Sequence, residues 1–185
     1  MDYFSSPYYE QLFMANYTVP GINENDAKQL IDGLQERLTD YNDLHLILKH
    51  VHWNVTGPNF IAVHEMLDPQ VDLVRGYADE VAERISTLGG APVGTPEGHV
   101  ADRTPLQYER NAGNVQAHLT DLNRVYTQVL TGVRESMASA GPVDPVTEDI
   151  YISQAAELEK FQWFIRAHIV DVDGNIQEMR KLPDA

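Results

Sequence analysis

The sequence predicts an all-α protein, a four-helix bundle with a long connection between its second and third helices. Apolar residues recur at spacings of three and four along four stretches of about 25 to 30 residues, as amphipathic helices require. Glycine and proline pairs separate these stretches, and no strand pattern competes with them. With 185 residues, of which 43% are apolar, the chain can build one sizeable core.

The first helix is predicted to begin near Asn25 or Asp26, because Asn and Asp cap helix N-termini well. It should end at Gly57-Pro58. Its apolar positions repeat at helical spacing and are Leu30, Ile31, Leu34, Leu38, Tyr41, Leu44, Leu48, Val51 and Val55.

The second helix is predicted to run from its N-cap Asn59 to Leu88, where two glycines follow. Pro69 should kink it, and the kink either aims the neighbouring carboxylate or has no role. Glu80 and Arg84 stand four residues apart, which favours an ion pair on the helix surface.

Residues 91–108 are rich in Pro and Gly and long enough to cross the height of a bundle, with a short helix expected at Thr104-Pro105. The third helix should span about residues 111–138 and the fourth about 144–170. Four such helices with one long crossover have the layout of a ferritin-like bundle. We therefore divide the chain into an arm (1–24), the bundle (25–171) and a short tail (172–185).

Composition limits the function. The net charge of −15 repels the phosphate backbone of nucleic acid and attracts cations. The chain contains no cysteine, so it has neither disulfides nor thiolate metal ligands. No apolar run approaches the roughly 20 residues that span a bilayer, and the N-terminus does not read as a secretory signal. We expect a cytosolic location, with the nucleoid as the alternative.

Four potential metal ligands of the second helix fall along one stripe. At about 100° per residue they occupy about 100° of the helix circumference, and imidazole with carboxylate is a ligand mix that suits iron. The alternative is a stripe of polar residues that simply faces solvent. The four residues are His64, Asp68, Asp79 and Glu83, and His52 on the first helix is a fifth candidate.

The helical rise divides this stripe. Asp68 and Asp79 are eleven residues apart in sequence, hence roughly 16 Å apart along the axis, which is too far for one metal centre. The stripe therefore holds two half-sites, His64 with Asp68 and Asp79 with Glu83. If the helix packs against a copy of itself about a two-fold axis, each half-site meets the other half-site of the partner.

Three aromatic neighbours of the candidate ligands have open roles. Trp53 is either a core residue or an electron donor that absorbs stray oxidising equivalents near the metal. His45 shares the face of His52, where it supports a ligand or packs in the core, or else binds metal itself. His50 points elsewhere and is expected to be structural or exposed.

The acidic segment that opens the fourth helix also has two interpretations. Its carboxylates can compensate the positive end of the helix dipole. Alternatively, as the family resemblance given in the next paragraph implies, they line a three-fold pore that draws Fe²⁺ inward. The pore candidates are Asp144, Asp149 and, less favoured, Glu148.

Several segments closely resemble the Dps family of mini-ferritins. The resemblance covers about residues 25 to 170 and includes both ligand motifs with their flanking residues in order. The matching segments are HWN at 52–54, GPNFIAVHEMLD at 57–68, AER at 82–84, NVQAHL at 114–119 and LEKFQWFIRAHI at 158–169.

Membership of that family implies a hollow shell of twelve identical bundles, with a ferroxidase centre at each two-fold dimer interface. It implies oxidation of Fe²⁺, preferably with hydrogen peroxide, storage of the ferric mineral inside, and protection from oxidative damage. Two irons are expected per centre, one of them weakly held through water. The family's site pattern maps onto His52, His64 and Asp68 of one chain with Asp79 and Glu83 of its partner.

The sequence departs from the resemblance in the segments that bind DNA in many relatives. The arm has no Lys or Arg, and the tail offers only Arg180 and Lys181, which weakens the case for DNA binding. A nucleoid-compacting DNA-binding protein is therefore only the second hypothesis. The Glu-x-x-His motif of di-iron bundles is also absent from the fourth helix, although Glu157 and His168 lie there. This disfavours a di-iron centre within one bundle. A cage with inactive sites is the third hypothesis.

Overall fold

The computed structural model describes residues 18–171, 173 and 175–176, so most of the arm and most of the tail lie outside the described residues. The chain has five helices and two very short strands within that part. The helices are α1 (Glu24–Asn54), α2 (Phe60–Thr87), α3 (Pro96–Asp102), α4 (Val115–Ala140) and α5 (Pro145–Ile169), and the strands are β1 (Val55–Thr56) and β2 (Gly113–Asn114).

Four of the helices form the predicted bundle. Helix α1 packs chiefly on α2, α4 packs on α5, and α1 also contacts α4. The long connection between α2 and α4 contains α3, which confirms the predicted crossover. Apolar side chains at helical spacing meet in one core, in which Leu34, Leu67, Leu122 and Leu158 are fully buried.

Helix α1 begins and ends earlier than predicted. Asn23 is its N-cap and accepts a hydrogen bond from the Asp26 amide at 3.0 Å. The helix ends at Asn54 because Val55 and Thr56 pair in parallel with Gly113 and Asn114. The sequence pattern did not predict this pairing, since two residues are too few to show an alternation.

Helix α2 also differs from its prediction at the start. Asn59 occupies the N-cap position, but its φ of 64° is left-handed and its side chain makes no capping hydrogen bond. The helix continues as a single element through Pro69 to Thr87. The predicted surface pair of Glu80 and Arg84 is wrong, because Arg84 instead contacts Asp144, 60 residues away.

The crossover contains its short helix earlier than expected. Helix α3 starts at Pro96 behind the N-cap Thr95, whose side chain accepts from the Gly98 amide, and not at Thr104-Pro105. Gln35 of α1 holds the crossover by two hydrogen bonds to the backbone of Val93. The connection therefore lies fixed against the bundle.

Helices α4 and α5 begin at strong caps. The Asn114 side chain accepts from the Ala117 amide at 2.9 Å, so α4 starts at Val115, later than predicted. Asp144 caps α5, which starts at Pro145 as predicted and ends at Ile169. Over the described ranges, none of the helices combines the length and apolar character needed to cross a bilayer.

Candidate metal centre

His52 and His64 form a locked pair where α1 meets α2. Their rings stack with centroids 3.6 Å apart and planes inclined by 24°. The His52 Nδ1 lies 3.0 Å from the backbone oxygen of His64, and the His64 Nδ1 lies 2.9 Å from the backbone oxygen of His52. Each histidine therefore fixes the ring of the other through the main chain.

This exchange of hydrogen bonds assigns the tautomer of both rings. A carbonyl oxygen can only accept, so Nδ1 of each ring carries the proton and donates it. The lone pair of each neutral ring then resides on Nε2, the atom that remains to bind a metal. Metal-binding histidines are commonly oriented by such a hydrogen bond from the other ring nitrogen. His52 and His64 thus fit the ligand role that the sequence predicted.

Asp68 lies beside this pair, with one carboxylate oxygen 3.2 Å from the His52 Nδ1. The Lys49 Nζ donates to the same oxygen at 2.7 Å. The Lys49 hydrogen bond is the main cause that lowers the pKa of Asp68, and the charge of Lys49 acts in the same direction. The carboxylate is therefore ionised at neutral pH, and an ammonium group already occupies one of its oxygens.

Asp79 and Glu83 are exposed further along α2. Over the described ranges, no three His, Asp or Glu side chains of one chain converge in the way a metal ion requires. His52 and His64 are in contact and Asp68 lies next to His52, and we call these three residues the histidine half-site, although their side chains do not converge on one metal position. The structure does not join this half-site to the carboxylate half-site of Asp79 and Glu83. Completion of the site by a second chain stays a prediction.

The neighbouring aromatic residues divide into structural and exposed ones. The His50 Nε2 donates to the Arg110 carbonyl at 2.9 Å, which makes His50 a structural link to the crossover, as one of the predictions stated. His45 is half-buried and burial lowers its pKa. The side chain of Trp53 is 70% exposed, so the core-packing interpretation of Trp53 is wrong for the single chain. Its role as an electron donor remains a hypothesis.

In the acidic segment at the start of α5, the carboxylate of Asp144 is already engaged by other protein groups, whereas that of Asp149 is exposed. Asp144 is 5% exposed; its carboxylate accepts from the Val146 and Thr147 amides and pairs with Arg84 at 2.5 Å. Asp144 thus lies at the positive end of the helix dipole, as the dipole interpretation predicted, and its oxygens are already engaged by the helix cap and Arg84. Asp149 is exposed and Glu148 half-buried, so these two carry what remains of the pore hypothesis.

Sequence reasoning missed two residues that contact the histidine half-site. Lys49 is three residues before His52, and the helical period places it on the face of the candidate ligands, a signal that could have found it. Phe60 packs its ring 5.4 Å from that of His64, and only the tertiary structure reveals this contact.

Comparison with known proteins decides the family. A model of the ferritin-like domain matches residues 31–174. The chain is 54% identical over 163 residues to the DNA protection during starvation protein of Mycolicibacterium smegmatis, an alignment that covers 88% of this chain and 89% of that protein. The chain belongs to the Dps family. The resemblance on which the sequence analysis relied is thereby confirmed.

Solved Dps structures share the fold of this chain. The Mycobacterium smegmatis Dps in a tetragonal crystal form is 53% identical with a TM-score of 0.86, covering 88% of this chain and all of that one. DpsA14 from Streptomyces coelicolor is 52% identical with a TM-score of 0.86, covering 90% of this chain and 99% of that one. The described fold is therefore a Dps fold across nearly the whole chain.

Proposed function

We propose that this Dps protein is a ferroxidase and iron store. It oxidises Fe²⁺, preferably with hydrogen peroxide, at centres shared by two subunits, and keeps the ferric product inside a hollow shell of twelve chains. The observation that carries the proposal is the locked pair of His52 and His64, whose Nδ1 atoms are engaged with the main chain so that Nε2 of each ring is left for a metal ion, with Asp68 next to His52.

A two-fold partner supplies the rest of each centre in this proposal. The exposed carboxylate half-site begins eleven residues after Asp68 on the same helix, roughly 16 Å along its axis. Two antiparallel copies of α2 would set the carboxylate half-site of each chain against the histidine half-site of the other. One dimer then closes two equivalent centres.

The ligands suit oxidation of bound Fe²⁺. Carboxylates stabilise Fe³⁺ more than Fe²⁺ because they are anionic, which makes electron loss easier. Neutral imidazoles bind without adding charge and set the geometry. Two Fe²⁺ ions each give one electron to one hydrogen peroxide, and with two protons the products are two waters and two Fe³⁺, without a free hydroxyl radical.

The two ions of a centre are held unequally. Asp79 and Glu83 are exposed, and within residues 18–171 neither forms an ion pair that would compete with a metal ion, whereas Lys49 donates to Asp68 at 2.7 Å. An ion bound at Asp68 must compete with this ammonium group. The ion nearer the carboxylate half-site is therefore bound tightly, and the one nearer Asp68 weakly and through water.

The acidic character of the chain serves the supply of iron. A net charge of −15 concentrates cations at the protein surface and at a mineral-bearing inner wall. Glu148 and Asp149 would line an entry pore in the assembled shell, and we expect slower iron entry when both are neutralised.

We place this activity in the cytosol.

Mixed dimers test the shared centre. One chain carries His52→Ala and His64→Ala, the other Asp79→Asn and Glu83→Gln, and both are produced together and compared with each variant alone. In a mixed dimer one centre collects all four substitutions and the other collects none. With random pairing, about a quarter of the centres regain the native ligands, and Fe²⁺ oxidation with peroxide should recover accordingly.

The comparison with each variant alone makes the result unambiguous. Each homogeneous variant has only damaged centres, so both should oxidise Fe²⁺ slowly. Mixtures no more active than the variants alone would refute a centre shared between subunits. The same measurement on the native protein distinguishes a working ferroxidase from a cage with inactive sites.

DNA binding is the alternative that we do not favour. The relative from Mycolicibacterium smegmatis is named for DNA protection. Removal of Fe²⁺ and peroxide would protect DNA without contact, because it removes the reagents that form hydroxyl radicals. The net charge of −15 opposes direct binding to phosphates.

A further inference from the structure

Tyr108 and His118 form a hydrogen-bonded pair outside the candidate metal centre. Tyr108 belongs to the crossover and is half-buried, whereas His118 belongs to α4 and is fully buried. The oxygen of the Tyr108 hydroxyl lies 2.5 Å from the His118 Nδ1. A phenol with a histidine base at this position has a ready acceptor for its proton.

The surroundings keep His118 neutral and leave Nδ1 as the acceptor. Burial, the largest cause, lowers the pKa of His118, and the Arg110 charge lowers it further, while the nearby backbone of Asn54 acts in the opposite direction. The buried His118 Nε2 has no hydrogen-bond partner among the described residues. The Tyr108 phenol donates to Nδ1, whose lone pair can receive its proton. Burial raises the pKa of Tyr108, so the phenol is protonated at rest.

Two tyrosines of the bundle core provide a contrast. Tyr41 donates to the Gln154 Oε1 and Tyr126 to the Gln70 Oε1, both at 2.7 Å. An amide oxygen accepts a hydrogen bond but does not take up a proton near neutral pH. Loss of one electron makes a phenol strongly acidic, so it proceeds readily only where a base receives the proton. Tyr108 has such a base, and Tyr41 and Tyr126 do not.

The pair also lies beside the helix that carries His52. The Tyr108 ring meets the His50 ring edge-on, with centroids 5.9 Å apart, and His50 is two residues before His52 on α1. Tyr108, His50 and the exposed Trp53 line one surface cavity of about 520 Å³. Two aromatic side chains of the helix that carries His52 therefore lie beside the Tyr108 phenol.

We propose that Tyr108 and His118 form a proton-coupled redox site that reduces one-electron oxidants before they damage the protein. The oxidant is the hydroxyl radical, formed when peroxide meets a centre that holds only one Fe²⁺, and this source rests on the proposed function. Tyr108 gives one electron, its O–H bond breaks and the proton moves to the His118 Nδ1. The oxidant takes the electron and a proton from solvent and becomes water.

The site then returns to its resting state with iron as the reductant. A further Fe²⁺ gives one electron to the Tyr108 phenoxyl radical and becomes Fe³⁺. The proton moves back from the His118 Nδ1 to the phenol oxygen. One hydroxyl radical and one Fe²⁺ have then been converted without a lasting change in the protein.

Photo-oxidation of the iron-free protein tests the pair without the ferroxidase reaction. A flash with ruthenium tris-bipyridine and persulfate, on protein containing ring-deuterated tyrosine, should give a tyrosyl radical in the electron paramagnetic resonance spectrum. Tyr108→Phe should remove most of this signal, and the matched control Tyr126→Phe should retain it. A signal unchanged in Tyr108→Phe overturns the proposal.

A conservative change of the base separates proton acceptance from a structural hydrogen bond. His118→Gln can keep a hydrogen bond to Tyr108, as Gln70 does for Tyr126, but cannot accept the proton. We expect its rate of radical formation to fall by about a hundredfold while the unfolding temperature changes little, since positioned proton transfer typically contributes that much. An unchanged rate in the folded variant refutes the role of His118 as proton acceptor.

Spin trapping during iron oxidation tests the protective role. With limiting Fe²⁺ and excess peroxide, Tyr108→Phe should release more trapped hydroxyl radical than the native protein, and Tyr126→Phe should not. Equal trapping by native protein and Tyr108→Phe, with Fe²⁺ oxidation intact, overturns the protective role. A native protein that oxidises no Fe²⁺ would instead refute the proposed ferroxidase, and the flash experiment would still decide whether Tyr108 is redox-active.

Discussion

Asp144 shows how one side chain acquires its role from partners that are distant in sequence. Its carboxylate caps α5 through the Val146 and Thr147 amides and also pairs with Arg84 of α2. Burial alone would raise the pKa of Asp144, but the Thr147 and Arg84 hydrogen bonds outweigh it and lower the pKa below 3.8. The capping position was visible in the sequence, whereas the Arg84 pair was not, because it connects residues 60 apart.

Replacement of Asp144 by Ala should strongly destabilise the bundle. The change removes a helix cap and leaves the Arg84 guanidinium buried without its carboxylate, for an expected loss of about 2–4 kcal/mol in the free energy of unfolding. Urea unfolding at neutral pH measures it. Asp149→Ala is the matched control, because Asp149 is exposed on the same helix and its loss should cost less than about 0.5 kcal/mol.

The pH dependence of this difference provides a second check. The pKa of Asp144 is lower in the folded than in the unfolded protein, so its stabilising effect is present above pH 3.8 and is lost as the pH falls through the folded-state value. The stability curves of the native protein and Asp144→Ala should therefore converge in acid. A constant difference down to the acid unfolding transition would contradict the assigned pair.

At the scale of elements, one side chain of α1, Gln35, holds the crossover by pairing with its backbone in the way that a neighbouring strand would. The Gln35 amide donates to the Val93 carbonyl at 3.0 Å and accepts from the Val93 amide at 2.8 Å, as a neighbouring backbone would. Asp43, also on α1, accepts from His99 and Arg103 further along the connection. The crossover also carries Tyr108, so these contacts help to position the proposed redox pair.

Gln35→Ala should loosen the crossover more than the bundle. The Val93 amide and carbonyl lose both partners, which costs about 1–3 kcal/mol, less where water can replace them. Amide hydrogen exchange at Val93 should accelerate while the amides of the α4 core stay protected. Gln29→Ala is the control, since Gln29 makes one exposed hydrogen bond, to Ser139, and should leave exchange at Val93 unchanged. Native protection of Val93 in Gln35→Ala would show that other contacts hold the segment.

The whole molecule is the scale at which function is completed. The described residues of one chain contain two half-sites and exposed apolar side chains, among them Leu46, Trp53 and Trp163, which a neighbouring subunit can cover. The net charge of −15 per chain multiplies on assembly. An assembled shell would therefore have a strongly negative field, which attracts Fe²⁺ and repels duplex DNA.

We expect no retardation of duplex DNA by the native protein in a gel-shift experiment at low salt without divalent ions. Contacts between Lys or Arg and phosphates supply most of the non-specific affinity, and they are strongest at low salt. Added Mg²⁺ should permit weak binding, because it can bridge carboxylates and phosphates. Retardation without Mg²⁺ that weakens steeply with salt would show a cationic surface and favour the DNA-binding alternative.

The sequence by itself determined the four long helices and the crossover, and it predicted the two candidate half-sites. These features depend on the residue repeat and rise of a helix, which covalent backbone geometry sets locally, so spacing alone revealed them. The tertiary structure decided the early end of α1 at Asn54, the exposure of Trp53, the Lys49 contact to Asp68 and the mutual lock of His52 and His64. Each of these depends on atoms that separate elements bring together. Local spacing can place Lys49 on the face of the candidate ligands, but it does not reveal which atoms come into contact.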